Sequence, residues 1–159
     1  MKSELPNNYP GQECFFCGEK NPIGLKLKFY FDEATGELTT DFLPSRSFAG
    51  LGNILHGGIQ AGLFDEIMGW ATHALTGEPG VTTDLNLQFI KPVYLEAPLQ
   101  VSCRIISRKD LRVSLAAEIR QPGGTVCTRA VGTYRLMSKE QFDGLVYGKQ
   151  QTISGHANP

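Results

Sequence analysis

The sequence predicts an antiparallel α+β domain in which a curled sheet of about six strands wraps around one long central helix. Two observations predict this fold. Segments with an apolar residue at every second position stand on both sides of a single stretch with helical spacing. That helical stretch is apolar around much of its circumference, so one flat sheet face could not bury it. The sheet must therefore curl around the helix.

The helix is predicted over about residues 57 to 75. Apolar side chains recur there at helical spacing, at Ile59, Leu63, Phe64, Ile67, Met68 and Ala71. Gly77 and Pro79 end the pattern, as expected just beyond a helix C-terminus.

The strands are predicted from period-two alternation. They cover about residues 25–31, 38–43, 81–90, 99–108, 111–120 and 125–136. The turns between the last three are short enough for antiparallel hairpins. Strands with one apolar and one polar face, joined by short loops, leave an open sheet edge. A second copy of the chain could cover this edge. We therefore expect a homodimer, and whether dimers pair into a homotetramer stays open.

The chain of 159 residues divides into an irregular N-terminal segment at 1–22, one domain at 23–137 and a polar C-terminal tail at 138–159. With 15 Lys and Arg against 16 Asp and Glu, it lacks the basic excess of a nucleic-acid-binding protein. No apolar run approaches the ~20 residues of a membrane span. The polar N-terminus lacks the apolar core of a signal peptide. We expect a cytoplasmic protein with neither nucleic acid nor membrane as partner.

One face of the helix carries small residues and one carboxylate. At 100° per residue, a narrow stripe contains Gly58, Gly62, Asp65, Gly69 and Thr72. Glycine inside a helix costs up to ~1 kcal/mol relative to alanine. Gly62 and Gly69 therefore indicate that a partner helix, a ligand or both approach this face closely.

The start of the helix is a candidate oxyanion site. The first N–H groups of a helix lack internal partners, and Gly57 and Gly58 have no side chains to shield them. Such donors stabilise a carbonyl oxygen that gains negative charge, and losing one can cost ~3 kcal/mol. Asp65 lies roughly 12 Å further along the same helix, too far to act on the same carbon. A partner helix running antiparallel could bring its own Asp65 opposite, which makes dimerisation part of the mechanism.

Each of these signals has a plainer interpretation. His-Gly-Gly is most often a tight turn, and a lone helical aspartate such as Asp65 is most often a surface carboxylate. Glu66 lies off the small-residue stripe, and we interpret it as solvated or as a structural partner. The combination of a glycine helix start, a carboxylate on a bare stripe and flanking strands is more specific than its parts.

The sequence also resembles a known family. Residues 55–65 read LHGGIQAGLFD, with the acid nine positions after the histidine, and this resembles the helix of hotdog-fold acyl-CoA thioesterases of the phenylacetate-degradation (PaaI-like) type. Residues 81–92, VTTDLNLQFIKP, are similar to the strand that follows that helix. CFFCG at 14–18 and NPIGL at 21–25 also recur in members, so the resemblance spans about 14–137.

The resemblance implies a thioester hydrolase that releases a free acid and CoA. It implies that Gly57 and Gly58 polarise the thioester carbonyl through backbone N–H. Asp65 of the other subunit would act as nucleophile or general base, since a carboxylate is ionised at neutral pH. His56 would orient the loop or the substrate carbonyl. No metal or other cofactor is implied, and the acyl-CoA thioester is the substrate.

The resemblance also names candidate substrate-binding residues. Thr82 or Thr83 matches the position at which family members place a hydroxyl near the acid. Several relatives carry Asn or Gln about six positions before the histidine to hold the attacking water, whereas here that position is Gly50. Asn53, three before His56, is the nearest substitute.

Cys14 and Cys17 form a Cys-x-x-Cys motif. A structural zinc site wants four ligands, and no second Cys pair or His pair is spaced to complete one. A thioredoxin-like role wants a βαβ context, which the predicted elements lack. A structural pair is the favoured interpretation.

Two other functions remain open at this point. A non-catalytic acyl-CoA-binding protein fits the glycine at position 50, and a hotdog dehydratase or hydratase fits the acid less well, because the acid stands at the thioesterase spacing. Acyl-chain or aryl specificity depends on which aromatic and aliphatic side chains line the pocket. The sequence does not indicate this, nor which basic residues contact the CoA phosphates.

Overall fold

The computed structural model describes residues 1–8 and 12–148. In these residues the elements, in chain order, are β1 (Lys2–Glu4), β2 (Tyr30–Asp32), β3 (Glu37–Phe42), a short 3-10 helix (Arg46–Phe48), α1 (Gly57–Thr76), β4 (Gly80–Phe89), β5 (Leu99–Lys109), β6 (Arg112–Gln121), β7 (Thr125–Leu136) and α2 (Lys139–Tyr147). The predicted α+β fold, a curled antiparallel sheet around one long helix, is confirmed. Neither described helix is long and apolar enough to cross a membrane.

The sheet has the strand order β1-β2-β3-β5-β6-β7-β4, and every neighbouring pair is antiparallel. Strand β4 therefore lies at one edge. It pairs with β7 on one side, and no other described strand lies along its second side. The opposite edge is β1, which has only three residues. The long open edge of the described sheet is thus β4, the strand that follows α1.

Helix α1 supplies the centre of the core. Five of its apolar side chains are 0% exposed, and they are Leu63, Phe64, Ile67, Met68 and Ala71. The helix approaches β7 closely at Gly132, where an added Cβ would lie 2.5 Å from the sulfur of Met68. Burying a large apolar side chain contributes about 1.5–3 kcal/mol. The packing of this face therefore fixes how α1 lies on the sheet.

The N-terminal region differs from the prediction. The segment expected to be irregular contributes β1, which pairs with β2. The strand expected from residue 25 begins only at Tyr30, and Lys26 interrupts the predicted strand with a φ of 54°, outside the extended region. The residues before Tyr30 are hydrogen-bonded to the N-terminal segment, since Leu25 N–H donates to the Phe15 carbonyl at 2.8 Å.

The C-terminal tail forms α2 over its first part. The helix starts with a capping box, in which the Ser138 side chain accepts from Gln141 N–H and the Gln141 side chain accepts from Ser138 N–H. The rest of the predicted tail, 149–159, lies outside the described residues.

Candidate active site

The start of α1 presents one open amide rather than two. His56 is the N-cap, and its Nδ1 accepts the Gly58 N–H at 2.8 Å. Gly57 N–H has no acceptor among the described residues. Of the two donors predicted to hold a carbonyl oxygen, the structure leaves Gly57 open and ties Gly58 to the imidazole.

A buried polar pair anchors this helix start to the sheet. Gln60 is 3% exposed, and its Nε2 donates to the Leu55 carbonyl at 3.0 Å. Its Oε1 accepts from the buried hydroxyl of Thr128 at 2.6 Å. Buried hydrogen bonds of this kind are costly to break, so the position of the first turn is fixed against β7.

The open amide lies beside an aromatic ring. A Cβ added at Gly57 would lie 3.3 Å from Cζ of Phe89, at the end of β4. The Phe89 side chain is 58% exposed. The ring therefore flanks the amide and leaves the approach from solvent open.

The Asp65 carboxylate is held through one oxygen. The hydroxyl of Thr82 donates to Oδ1 at 2.6 Å, and the Tyr134 hydroxyl lies 3.0 Å from the same oxygen and 2.6 Å from the Asp65 carbonyl. In the described part of the chain, Oδ2 makes no hydrogen bond. The residue is exposed, so an oriented carboxylate presents one free oxygen.

Tyr134 is a site residue that the sequence analysis missed. Burial, and more weakly the Asp65 charge, raise the pKa of its phenol, so the group stays protonated. Its position on β7 follows from alternation, which places Ala130, Gly132 and Tyr134 on the inner face. A buried tyrosine hydroxyl needs a partner, but alternation does not say that the partner is Asp65.

The predicted substrate-binding residues make different contacts in the structure. Thr82 faces Asp65, whereas the Thr83 hydroxyl donates to the Thr133 carbonyl at 3.1 Å. A register shift between Thr82 and Asp84 accompanies this divergence. Asn53 is exposed, and its carbonyl accepts from Leu95 N–H at 2.9 Å. The structure thus brings Thr82, and not Thr83, to the acid.

Position 50 lies tightly against the helix N-cap. A Cβ added at Gly50 would lie 3.0 Å from the Cα of His56. The backbone also turns here, since Gly50 N–H donates to the Ile54 carbonyl at 2.8 Å. A side chain at this position would therefore require a shift of the helix N-cap.

The small-residue stripe of α1 is covered by aromatic rings of the same chain. At Gly62 an added Cβ would collide with the Phe16 ring, and at Gly69 it would lie 3.8 Å from the Tyr134 ring. The close approach at Gly62 is thus made, within the described residues, by a side chain of the same chain. The approach of a partner helix or a ligand stays a prediction.

A cavity of about 420 Å³ lies beside the carboxylate. Asp65, Thr82 and Tyr134 line one part of it. The other part is lined by Cys14, Cys17, Glu66, Gly69, Trp70, Gly80 and Val81. Burial, followed by hydrogen bonding to Glu66 and its charge, raises the pKa of the Cys17 thiol, which keeps this thiol protonated.

The comparisons with known proteins bear on this arrangement. Residues 52–128, which include the helix start, Asp65 and Thr82, match the family model of the thioesterase superfamily. This segment is a thioesterase-superfamily domain. This match confirms the predicted family at the level of the superfamily. The superfamily is one of thioesterases, and thioester hydrolase is the enzyme class that the sequence predicts. No curated protein sequence matches this chain significantly.

Solved structures share the thioesterase fold. A thioesterase superfamily protein has a TM-score of 0.72 at 23% identity, covering 78% of this chain and 60% of its own. The chain thus spans about three fifths of that protein's length. A thioesterase protein with coenzyme A from Streptococcus pneumoniae has a TM-score of 0.62 at 20% identity, covering 65% and 82%. The E. coli PaaI protein from the phenylacetic acid degradation operon has a TM-score of 0.61 at 14% identity, covering 65% and 74%.

Proposed function

We propose that this protein is an acyl-CoA thioesterase that hydrolyses its substrate to a free acid and CoA. The observation that carries the proposal is the oriented carboxylate of Asp65, held on Oδ1 by Thr82 and Tyr134 and free on Oδ2. Together with the open Gly57 amide, it supplies both parts of an acyl-transfer site, an attacking group and a donor for the oxyanion.

The two parts belong to different subunits in this proposal. Gly57 and Asp65 stand eight residues apart on α1, or about 12 Å at 1.5 Å rise per residue. The β4 edge offers unpaired backbone groups along ten residues, and such an edge favours pairing with another strand. A homodimer formed through β4 can place the two α1 helices antiparallel, with Gly57 of one subunit facing Asp65 of the other. A dimer of dimers remains compatible with it.

The reaction follows from these positions. Gly57 N–H donates to the thioester carbonyl oxygen and stabilises the negative charge that develops on it. Asp65 Oδ2 either takes a proton from the attacking water or attacks the carbonyl carbon itself. In the first route the C–S bond breaks and the proton passes to the CoA sulfur. In the second, the attack breaks the C–S bond, CoA leaves as a thiolate and an anhydride forms on Asp65. Water then hydrolyses the anhydride, and the proton that this water gives up passes to the CoA sulfur. Neither route uses a cofactor.

A basic group beside the site is our candidate for the CoA phosphates. Lys109, Arg112 and Arg135 line a second cavity of about 500 Å³ together with Thr83. Thr83 adjoins Thr82 in sequence, so the two cavities flank the same stretch of β4. CoA carries anionic phosphates, which lysine and arginine bind through charge-assisted hydrogen bonds. The bound coenzyme A in the pneumococcal structure supports this substrate class.

The decisive experiment measures release of free thiol from a panel of aliphatic and aryl acyl-CoAs. Asp65→Asn keeps an acceptor for Thr82 and Tyr134 but removes the base or nucleophile, so turnover should fall by about 10²–10⁴-fold with unchanged circular dichroism. Asp41→Asn, which changes an exposed aspartate on β3, is the matched control and should keep full turnover. Wild-type turnover in Asp65→Asn would refute the proposal.

The second candidate is a non-catalytic acyl-CoA-binding protein. The glycine at position 50 favours it, because this position carries no polar side chain that could hold a water. It predicts saturable binding of acyl-CoA without thiol release over the whole panel. The same assay therefore separates the two functions.

A further inference from the structure

We propose that Cys14, Cys17 and Glu66 form a binding site for a soft divalent metal ion, with Zn²⁺ as the ion that fits. One ligand atom from each of the three residues lies within 4.8 Å of the others. Within the described residues, this is the grouping of three His, Cys, Asp or Glu side chains that could close on an ion. It takes no part in the reaction proposed above and does not rest on it.

The Cys-x-x-Cys turn holds the Cys14 sulfur beside a backbone donor. Phe16 N–H donates to Cys14 Sγ at 3.4 Å, and Gly18 N–H donates to the Cys14 carbonyl at 2.9 Å. A backbone donor aimed at sulfur stabilises a thiolate. An added Cβ at Gly18 would collide with the Gln12 carbonyl and with the backbone of Cys14. The turn is therefore tight enough to require glycine after the second cysteine.

Glu66 completes the group from the side of α1. Its Oε2 lies 3.5 Å from Cys14 Sγ, and its Oε1 accepts the indole N–H of Trp70 at 3.1 Å. Trp70 is itself fixed by stacking on Phe29, with ring centroids 4.9 Å apart. A partner that orients a ligating carboxylate in this way is typical of metal sites. Glu66 is 52 residues from Cys14, so the motif alone offered two ligands.

The chemistry of the donors selects the ion. Two thiolates with one carboxylate suit Zn²⁺, which prefers a tetrahedral site and accepts sulfur and oxygen ligands. On binding, each thiol loses its proton to solvent and each sulfur forms a bond to the ion. Three protein ligands leave the fourth position to water, and the cavity that these residues line with Asp65 has room for it.

The test uses the full chain kept reduced. Zn²⁺ affinity is measured by competition with a chromogenic chelator, and Co²⁺ is added separately to record thiolate-to-cobalt charge-transfer absorption. We expect one ion per chain and a charge-transfer band. Glu66→Gln keeps an acceptor for the Trp70 indole but loses the anionic ligand, and it should weaken Zn²⁺ binding by more than the ~10–100-fold that an outer partner costs. Trp70→Phe, which removes the indole N–H and keeps an aromatic ring beside Phe29, should fall within that range.

The controls separate this site from other binding. Cys127→Ser changes a buried cysteine outside the group, whose sulfur already has the Thr125 carbonyl as acceptor, and it should bind Zn²⁺ as the wild type does. Cys14→Ser and Cys17→Ser should each abolish most of the charge-transfer band. Asp65→Asn should leave Zn²⁺ binding intact even if it stops hydrolysis, so failure of one proposal is distinguishable from failure of the other.

Three results would overturn the site. The first is a reduced wild type that binds no more Zn²⁺ than the Cys14→Ser, Cys17→Ser double variant. The second is a Glu66→Gln variant that binds Zn²⁺ with wild-type affinity. The third is a wild-type chain purified without metal whose Cys14 and Cys17 are joined by a disulfide that resists reductant, which would make the pair a structural disulfide instead.

Discussion

The hydroxyl of Tyr134 lies 3.0 Å from Oδ1 of Asp65, and Thr82 donates to that same oxygen at 2.6 Å. The Thr82 hydrogen bond orients the carboxylate, and the Tyr134 hydroxyl, which is also 2.6 Å from the Asp65 carbonyl, lies beside the same oxygen. The second oxygen stays unbonded among the described residues. The side chain is thus oriented without being neutralised by a cation. Preorganisation of this kind is what a reacting carboxylate requires.

The first prediction separates the neighbouring hydroxyls of β4. Thr82→Val removes a donor to Asp65, whereas Thr83→Val removes a bond to the Thr133 carbonyl. A hydrogen bond to a charged group contributes about 1.5–3 kcal/mol, so we expect kcat of Thr82→Val to fall by about ten- to a hundredfold. Thr83→Val should keep wild-type kcat. Steady-state thiol release measures both, and equal losses in the two variants would remove Thr82 from the site.

The second prediction concerns the open amide. Gly57→Pro deletes this N–H, and proline is well accepted in the first turn of a helix. His56 precedes it with φ −56° and ψ 133°, which suits a residue before proline. We expect kcat to fall by about 10²–10³-fold with little loss of helix content. Gly57→Ala, which keeps the N–H, is the matched control and should lose far less.

The third prediction tests whether the site is shared between subunits. In a mixture of Gly57→Pro and Asp65→Asn chains, a mixed dimer has one site with both Gly57 and Asp65 intact. Random pairing in a two-fold symmetric dimer should restore about one quarter of wild-type activity. Activity is measured after unfolding and refolding the chains together. If the mixture gives only the mean of the two separate variants, both groups act within one chain or not at all.

The fourth prediction concerns the N-cap. His56→Ala removes the acceptor of the Gly58 N–H and should lower the free energy of unfolding by about 0.5–2 kcal/mol, measured by urea denaturation. His56→Asn supplies another capping side chain and should recover most of that stability. Asn53→Ala, at a nearby exposed position, should change stability little. A His56→Ala protein as stable as the wild type would show that the cap contributes nothing.

The fifth prediction concerns the contact between the N-terminal segment and α1. Gly62→Ala places a methyl group where the Phe16 ring lies, so it should destabilise the protein by about 1–3 kcal/mol, although alanine favours helix. Phe16→Ala in the same chain should relieve that cost. The two changes are then strongly non-additive in a double-mutant cycle. Additive effects would mean that the ring and the glycine do not touch.

Helix α1 and the strands around it were predictable because their signals are local. The spacing of apolar residues predicts the helix over nearly its whole length. It predicts β7 over the same residues as the structure. β1 has three residues, too few for an alternation to be read. The strand predicted from residue 25 was wrong over its first part, since nothing in its alternation reveals the positive φ of Lys26.

The site was predictable only where a pattern or a resemblance named it. Asp65, Gly57 and a threonine of β4 came from the motif and the family. Tyr134 did not, because it meets Asp65 across 69 residues of chain. The hydrogen bond from Gly58 N–H to the His56 side chain was not predicted, because histidine is not among the preferred N-cap residues. Side-chain contacts between distant segments depend on how the sheet curls, and local sequence patterns do not indicate this curl.

The Phe16 ring on Gly62 bears on how small a self-sufficient version of this protein can be. The family match begins at residue 52, yet a fragment starting there would leave a bare glycine groove on α1 exposed to water. It would also lose β3, which pairs with β5. The minimal autonomous unit therefore has to include the cysteine turn, even though the chemistry resides further along the chain.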